Sequence, residues 1–170
     1  MVDHAQGRQG LSTERGPYRS SRSLSVGDTG REMTEESTTP DLVERQRQAV
    51  EAYSRLDEGM TFYAPGAVWD ASRTGVGTFE GAAAIRRFFE DWMGAYEEYR
   101  HEIVEIRDLG NGVVFTVLDI VGRLAGSTSR VQETWSMTAT WVEGMCERVV
   151  VRSDIDEARA AAERLAEERG

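Results

Sequence analysis

The spacing of apolar residues in the middle of the chain changes from a helical period to an extended one. Between residues 81 and 96 the apolar positions recur every three or four residues, which predicts a helix with one apolar face. That face comprises Ile85, Phe88, Phe89, Trp92, Met93 and Tyr96. Four extended runs follow at about 99–108, 113–124, 129–142 and 145–153, and glycine-bearing turns separate them. The pattern therefore predicts one long helix followed by a four-stranded antiparallel meander.

The third extended run, 129–142, shows the clearest alternation. One face carries Trp135, Met137, Ala139 and Trp141, and the other carries Thr134, Ser136, Thr138 and Thr140. Alternation of this kind is typical of an antiparallel strand with one face on a core.

Two further helices and a short strand complete the pattern. The first helix is expected to begin with Thr39 as N-cap and Pro40 in the first position, and to continue to about Gly59. A short extended segment, 60–64, precedes an apolar run that ends on Asp70. The last helix is predicted from Asp154 to about Glu168, with a narrow apolar stripe.

Helices early in the chain and strands late in it predict an α+β fold. In such a fold the helices cover one face of a curved, antiparallel-rich sheet and enclose an apolar pocket. Residues 1–37 are rich in Gly, Ser, Arg and Glu and show no period, so we expect a disordered tail. Residues 38–170 are then the folded domain, and Met33 is an alternative start of translation.

Composition narrows the range of partners. A net charge of −10 argues against nucleic acid, because phosphates must be met with basic clusters. No segment reaches the roughly 20 apolar residues of a membrane span. The first residues do not show the charged start and apolar run of a secretory signal, and the single cysteine, Cys146, fits a structural thiol in a reducing compartment. We therefore expect a cytoplasmic protein that binds neither nucleic acid nor membrane.

No cofactor or metal site is expected from the motifs. The chain has two histidines, and one of them, His4, lies in the predicted tail. A histidine-based metal site thus has no companion ligand pattern. The glycines at 75 and 77 lack the strand–glycine–helix spacing of a dinucleotide site.

Three side chains stand out as candidates for chemistry. Asp70 ends an apolar run, and it is either a base at the mouth of a pocket or an acceptor for backbone amides of the next loop. Asp119 interrupts a strand, and it is a pocket acid, the partner of an arginine such as Arg123 or Arg148, or a residue at a dimer surface. His101 is either a proton shuttle or an edge-strand residue bonded to water.

Four segments carry a resemblance to a known family. They are FYAPGAVWD, the helix GAAAIRRFFEDWMGAY, the turn DLGNGVV and the ending WVEGMCERVVVRSDIDEARAAA. Their order and spacing resemble the SnoaL-like branch of the nuclear transport factor 2-like (ketosteroid isomerase-like) superfamily, over roughly residues 38–165. The resemblance implies a cone-shaped α+β barrel, but no particular activity, since this fold hosts isomerases, cyclases, ligand binders and non-catalytic modules.

The resemblance also implies roles for particular residues. Asp70 is similar to the general base of the isomerase members, and Tyr53 to their oxyanion donor on the first helix. Met137 occupies the position of the second donor, and a thioether cannot donate a hydrogen bond. Asp119 is the candidate to replace that donor. The implied ligand pocket comprises Phe62, Trp69, Phe89, Trp92, His101, Phe115, Val117, Trp135 and Met137.

Two functions remain open at this level. The first is a small-molecule pocket protein that acts as an isomerase or cyclase, with Asp70 as the base on a carbonyl compound. The second is a non-catalytic ligand-binding or dimerisation module on the same fold. In both cases the resemblance implies a small apolar organic ligand and a homodimer that forms through the sheet. The candidate contact surface is then the polar face of the third extended run, with Thr134, Ser136, Thr138 and Thr140.

Overall fold

Four helices and a six-stranded sheet make up residues 41–170, the part of the chain that the computed structural model describes. The helices are α1 (Leu42–Glu51), α2 (Leu56–Gly59), α3 (Ala82–Gly94) and α4 (Ile155–Arg169). The strands are β1 (Tyr63–Ala71), β2 (Gly77–Glu80), β3 (Tyr96–Asp108), β4 (Val113–Leu124), β5 (Arg130–Val142) and β6 (Met145–Arg152). The predicted α+β class with a curved, mostly antiparallel sheet is confirmed. The predicted tail, residues 1–37, lies outside the described residues.

The strand order of the sheet is β2-β1-β6-β5-β4-β3. The four strands β3 to β6 form the predicted antiparallel meander. β1, the first strand in the chain, lies on the other side of β6 and pairs with it in parallel. β2 pairs antiparallel with β1 and is the edge strand. Sequence patterning did not predict β2, because it has only four residues and follows a short 3₁₀ turn, Ser72–Thr74.

The prediction that the first helix continues as a single element to about Gly59 is wrong. Asp41 is its N-cap and accepts hydrogen bonds from the amides of Val43 and Glu44, whereas Thr39 lies outside the described residues. α1 ends at Glu51, a 3₁₀ turn follows, and α2 begins at Leu56. The chain folds back so tightly that a Cβ on Gly59 would lie 2.9 Å from the carbonyl oxygen of Ala52. The predicted single helix is therefore two short helices with a turn between them.

The two faces of the sheet bury different clusters. The inner face packs against α1 and α3 around a core that includes Tyr53, Trp69, Phe89 and Met137. The outer face packs against α4, where Phe115 and Val117 of β4 are buried with Ala158 and Ala162 of the helix. Phe115 and Val117, expected to line the ligand pocket, therefore lie on the opposite side of the sheet from the other predicted lining residues.

The covering of the outer face by α4 also affects the predicted dimer contact. Ser136, Thr138 and Thr140 are buried within the single chain, and Thr134 alone of that row is exposed. The Ser136 hydroxyl donates a hydrogen bond to the carbonyl of Arg152 at 3.0 Å. The apolar stripe of the last helix, whose partner the sequence did not identify, packs on this face. The polar row is thus not available as a flat surface for a second copy.

Gly112, in the turn between β3 and β4, offers a test of how closely that turn approaches Trp141 of β5. Its φ is +78°, and a Cβ there would lie 2.4 Å from the carbonyl oxygen of Trp141. Gly112→Ala should therefore lower the free energy of unfolding by more than the roughly 1 kcal/mol expected from a left-handed backbone alone. Urea unfolding of the variant measures this loss.

Gly110→Ala is the matched control, because Gly110 has a similar φ of +85° and open space around its Cα. The cost of the backbone conformation is then common to the two variants, and the difference between them reports the contact with Trp141. Equal losses in the two variants would contradict the close approach.

Candidate functional site

Asp70 lies at the end of β1 with its carboxylate on the outer face of the sheet. Its neighbours Trp69 and Ala71 are buried on the inner face. Oδ1 of Asp70 accepts hydrogen bonds from the backbone amide of Ser72 at 3.1 Å, the Ser72 hydroxyl at 2.6 Å and the Thr78 hydroxyl at 3.2 Å. Oδ2 pairs with the Arg148 guanidinium at 3.0 Å. Both oxygens of the carboxylate are therefore occupied by donors.

These donors hold the pKa of Asp70 below its ordinary value. The hydrogen bond from the Ser72 hydroxyl lowers the pKa most, and burial opposes it as the second-largest effect. The Ser72 amide, the Thr78 hydroxyl and the charge of Arg148 lower the pKa further. Hydrogen bonds to the charged form of a carboxyl group favour that form. A general base that works near neutral pH needs the opposite shift. Asp70 as folded is a stable carboxylate and a weak base.

Tyr53 lies on the inner face and is 5 % exposed. Its ring stacks on Phe89 at 4.8 Å between centroids, and its hydroxyl lies 3.4 Å from the sulfur of Met137. The phenol thus points at Met137, the residue that the sequence resemblance predicted at the second donor position. Burial raises the pKa of Tyr53, so the side chain stays a neutral hydroxyl.

Asp119 lies on the outer face of β4 and accepts a hydrogen bond from the Thr134 hydroxyl at 2.6 Å. Three strand spacings separate β4 from β1 in the sheet, which is roughly 14 Å. Asp70 and Asp119 are therefore far apart, and the sheet separates both from Tyr53. The structure does not bring the three predicted catalytic side chains into one cavity.

His101 lies on the inner face of β3 beside the same aromatic core. Its ring centroid is 5.9 Å from that of Tyr53 and 5.6 Å from that of Tyr99. Burial lowers the pKa of His101, with smaller opposing effects of a hydrogen bond to the backbone of Val50 and of the nearby Glu51 carboxylate, so the neutral imidazole is favoured. Nδ1 of His101 and Nε1 of Trp69 are buried and have no hydrogen-bond partner among residues 41–170.

The predicted pocket residues divide into groups. Phe62, Trp69, Phe89 and Met137 are packed inside the core, each less than 10 % exposed. Trp92 and Trp135 are half-buried and line open space at the end of α3 and the start of β5. Their ring centroids are 5.1 Å apart. This last pair marks a cavity that a ligand could enter, and His101 lines a separate cavity of about 490 Å³ together with Asp119.

Two adjoining cavities share Val76 and Trp92, and together they form what we call the aromatic groove. The first has a volume of about 550 Å³ and lies between α3 and the segment from Val76 to Phe79. The second, of about 620 Å³, extends past Trp135 to the ends of β4 and β5. Phe79 stacks on Phe88 at 4.4 Å, and Phe88 lies 5.8 Å from Trp92. An almost unbroken row of aromatic rings therefore lines one wall.

Sequence analysis missed Phe79 and Val76 as lining residues. The strand that carries Phe79, Gly77–Glu80, has only four residues, which is too short for a periodic pattern to separate it from the loop before it. The pairing of Phe79 with Trp69 across β1 and β2 fixes its position next to α3.

The family model for the SnoaL-like domain matches residues 43–164. This chain belongs to the SnoaL-like family. The match confirms the resemblance seen in the sequence. No curated protein sequence matches the chain at a significant level.

Solved structures of the same fold are similar to this SnoaL-like chain. One is a putative polyketide cyclase from Sinorhizobium meliloti, with 22% identity, a TM-score of 0.54, and coverage of 64% of this chain and 94% of that chain. Another, from Catenulispora acidiphila, has a ketosteroid isomerase-like fold and was solved with trimethylamine, with 13% identity, a TM-score of 0.57 and coverage of 67% and 85%. A third, TerC with polyporic acid, has 15% identity, a TM-score of 0.58 and coverage of 71% and 97%. At these identities the likeness shows the fold alone.

Two further findings concern membrane-spanning helices and metal sites. None of the helices within residues 41–170 is long and apolar enough to cross a membrane. In the same part of the chain, no group of three or more His, Cys, Asp or Glu side chains is placed to hold a metal ion.

The hydrogen bonds of Asp70 predict a pH-dependent contribution to stability. Because the folded state lowers the pKa of Asp70, its contribution is present above the ordinary carboxyl pKa and is lost as the pH falls through the folded value. Asp70→Asn should lower the free energy of unfolding by about 1 kcal/mol at pH 7. The gap between the variant and the wild type should shrink below a pH of about 4. Urea unfolding at a series of pH values measures both effects.

Asp91→Asn serves as the control, since Asp91 is exposed on α3 and makes no ion pair among the described residues. It should change stability little at any pH in the series. A gap between Asp70→Asn and the wild type that stays constant into acid would show that the carboxylate is not held in its charged form.

Proposed function

We propose that this SnoaL-like chain binds a small, mainly apolar organic molecule in the aromatic groove, and that it does so without Asp70 as a catalytic base. The observation that carries the proposal is the row of rings from Phe79 through Phe88 and Trp92 to Trp135 beside about 550 and 620 Å³ of open volume. Ligand sites in proteins are concave, mostly apolar and of this size.

The lining of the groove favours a planar ligand with a polar end. Aromatic rings prefer offset or edge-to-face contact with other rings, and Trp92 and Trp135 meet at an interplanar angle of 54°, which leaves faces of both open to a third ring. Arg87 and Asp91 lie at the rim on α3 and can bind a polar substituent. Related structures were solved with trimethylamine and with polyporic acid, which supports small-molecule binding by this fold.

Isomerase or cyclase chemistry with Asp70 as the base has less support. The carboxylate lies on the other side of the sheet from Tyr53, and four donors and a lowered pKa oppose proton uptake. A dimerisation module that uses the polar face of β5 also has less support, because α4 packs on that face. Ligand binding by the aromatic groove needs neither arrangement.

Naphthol is a suitable probe because it is planar, uncharged near neutral pH and small enough for either cavity. We expect the wild type to bind naphthol and Trp92→Leu to bind it about tenfold more weakly, since one aromatic contact and its buried area are lost. Trp135→Leu should show a similar loss. Equilibrium dialysis measures the affinities, and circular dichroism checks that each variant is folded.

Asp70→Asn and Tyr63→Phe are the controls, because both residues lie outside the groove. Both should bind naphthol as the wild type does. Unchanged affinity in the folded Trp92→Leu and Trp135→Leu variants would refute the groove as the site. Conversion of a carbonyl compound by the wild type, with loss of that conversion in Asp70→Asn, would restore the general-base mechanism.

A further inference from the structure

We propose that the ligand of the aromatic groove carries an alkylated, cationic amine, and that this group lies among the rings of Trp92, Tyr96 and Trp135 beside the carboxylate of Glu133. The inference rests on the proposed function, because it names the class of ligand for the same groove. All four residues line the second cavity, the one of about 620 Å³. We call these three rings and the carboxylate the aromatic box.

The three rings of the aromatic box form a corner. The ring centroid of Trp92 is 5.1 Å from that of Trp135, at an interplanar angle of 54°, and 5.7 Å from that of Tyr96, at 47°. Neither neighbour is parallel to Trp92, so the rings are walls that meet at an angle. All three side chains are half-buried, which leaves part of each ring open to the cavity.

A corner of this kind suits a cation with apolar substituents. The face of an aromatic ring attracts a cation that lies within about 6 Å of the ring centroid, and tryptophan attracts it most. Because the centroid of Trp92 is less than 6 Å from those of its two neighbours, one cation can interact with more than one ring. The alkyl groups of the amine would also cover Leu124 and Val131, which line the same cavity, and remove their apolar surface from water.

Glu133 supplies a negative charge beside these rings. Its side chain is exposed, and none of the ion pairs within residues 41–170 includes it. The pKa of Tyr96 is raised mainly by burial, and the charge of Glu133 raises it further. A carboxylate that disfavours a negative phenolate at Tyr96 favours a positive group at the same place.

The other charged residue that lines the second cavity, Arg73, lies away from Glu133. Arg73 follows β1 and is 3.5 Å from Glu157, which also pairs with Arg152 at 3.0 Å. Because β6 separates β1 from β5, two strand spacings, or about 10 Å, lie between the backbones of Arg73 and Glu133. That distance exceeds the screening length of about 8 Å at physiological salt. The charge of Arg73 therefore acts at the β1 end of the cavity, and Glu133 acts at the end beside Tyr96.

The arginines on the strands next to Glu133 are also engaged elsewhere. β4 and β5 carry one arginine each, Arg123 and Arg130. Arg123 pairs with Glu97 and Glu98 of β3, and Arg130 lies 3.8 Å from Glu98. These contacts hold both guanidinium groups towards β3, which leaves the carboxylate of Glu133 available to a ligand.

The first cavity of the groove shows no such preference for one charge. Its two charged lining residues, Arg87 and Asp91, lie one turn apart on α3 and have opposite signs, so they offset each other. Phe79 and Phe88 make the rest of its wall apolar. The planar, uncharged part of the ligand is therefore best placed in the first cavity, with the amine in the aromatic box.

Two naphthols of the same shape that differ in one charge are the probes. In 6-(trimethylammonio)-2-naphthol a quaternary amine replaces the tert-butyl group of 6-tert-butyl-2-naphthol. We expect the cation to bind the full-length protein about tenfold more tightly than its uncharged isostere, because the rings and Glu133 both attract the charge. The preference should fall as salt rises. Isothermal titration calorimetry measures both affinities.

Substitutions in the aromatic box test which groups recognise the charge. Glu133→Gln should reduce the preference for the cation about threefold and leave the binding of the tert-butyl compound unchanged, since only a charge is lost. Glu147→Gln, at an exposed position on β6 outside the groove, is the matched control and should keep the full preference. Tyr96→Leu should reduce the preference, whereas Tyr96→Phe, which keeps a ring, should retain it.

The probes separate this inference from the proposed function. If 2-naphthol and the tert-butyl compound bind but the cation binds no more tightly than the tert-butyl compound, the groove stands and the aromatic box is refuted. If none of the naphthols binds, both proposals are overturned. The inference also fails if Glu133→Gln and Tyr96→Leu keep the wild-type preference, or if the anion 6-hydroxy-2-naphthoate binds more tightly than the cation.

Discussion

The packing of α4 against the outer face of the sheet determines which surfaces of this molecule stay open. Phe115 and Val117 of β4 would otherwise expose a large apolar area, and Ala158 and Ala162 provide a helix surface smooth enough to lie directly on it. Small residues at the contact let the helix approach the strands closely. The same contact buries the polar row of β5 and leaves β1 and β6 uncovered beside the helix.

This arrangement places Asp70 in a different environment from that of a pocket base. On the outer face the carboxylate meets Arg148, and the turn after β1 supplies the Ser72 amide and hydroxyl. Inside the sheet, Tyr53 contacts Met137 and the aromatic core instead. A thioether is a weak acceptor and never a donor, so Met137 cannot supply a second hydrogen-bond donor beside Tyr53.

Sequence periodicity was sufficient to predict the positions of the main helices and strands. It was insufficient to predict which face of each strand points towards the inner core. Long periodic segments such as α3 and the β3–β6 meander follow directly from the spacing of apolar residues. The alternation in β4 placed Asp119 with Phe115 and Val117, as the structure does, but alternation alone cannot say which face of a sheet points inward. That choice depends on α4, whose partner is distant in sequence. The pocket prediction therefore combined residues from both faces.

The short elements around β1 also depend on contacts that are distant in sequence, so sequence periodicity could not predict them. Gly59, the last residue of α2, lies against Ala52, and no local pattern indicates this contact. β2 depends on its pairing with β1. The pairing of Phe79 with Trp69 brings an aromatic ring next to α3 and so completes the wall of the aromatic groove. Because the wall is built from β2, α3 and β5 together, it is a property of the tertiary fold. A loop substitution that weakens β2 would therefore change the groove without altering any of the tryptophans that line it.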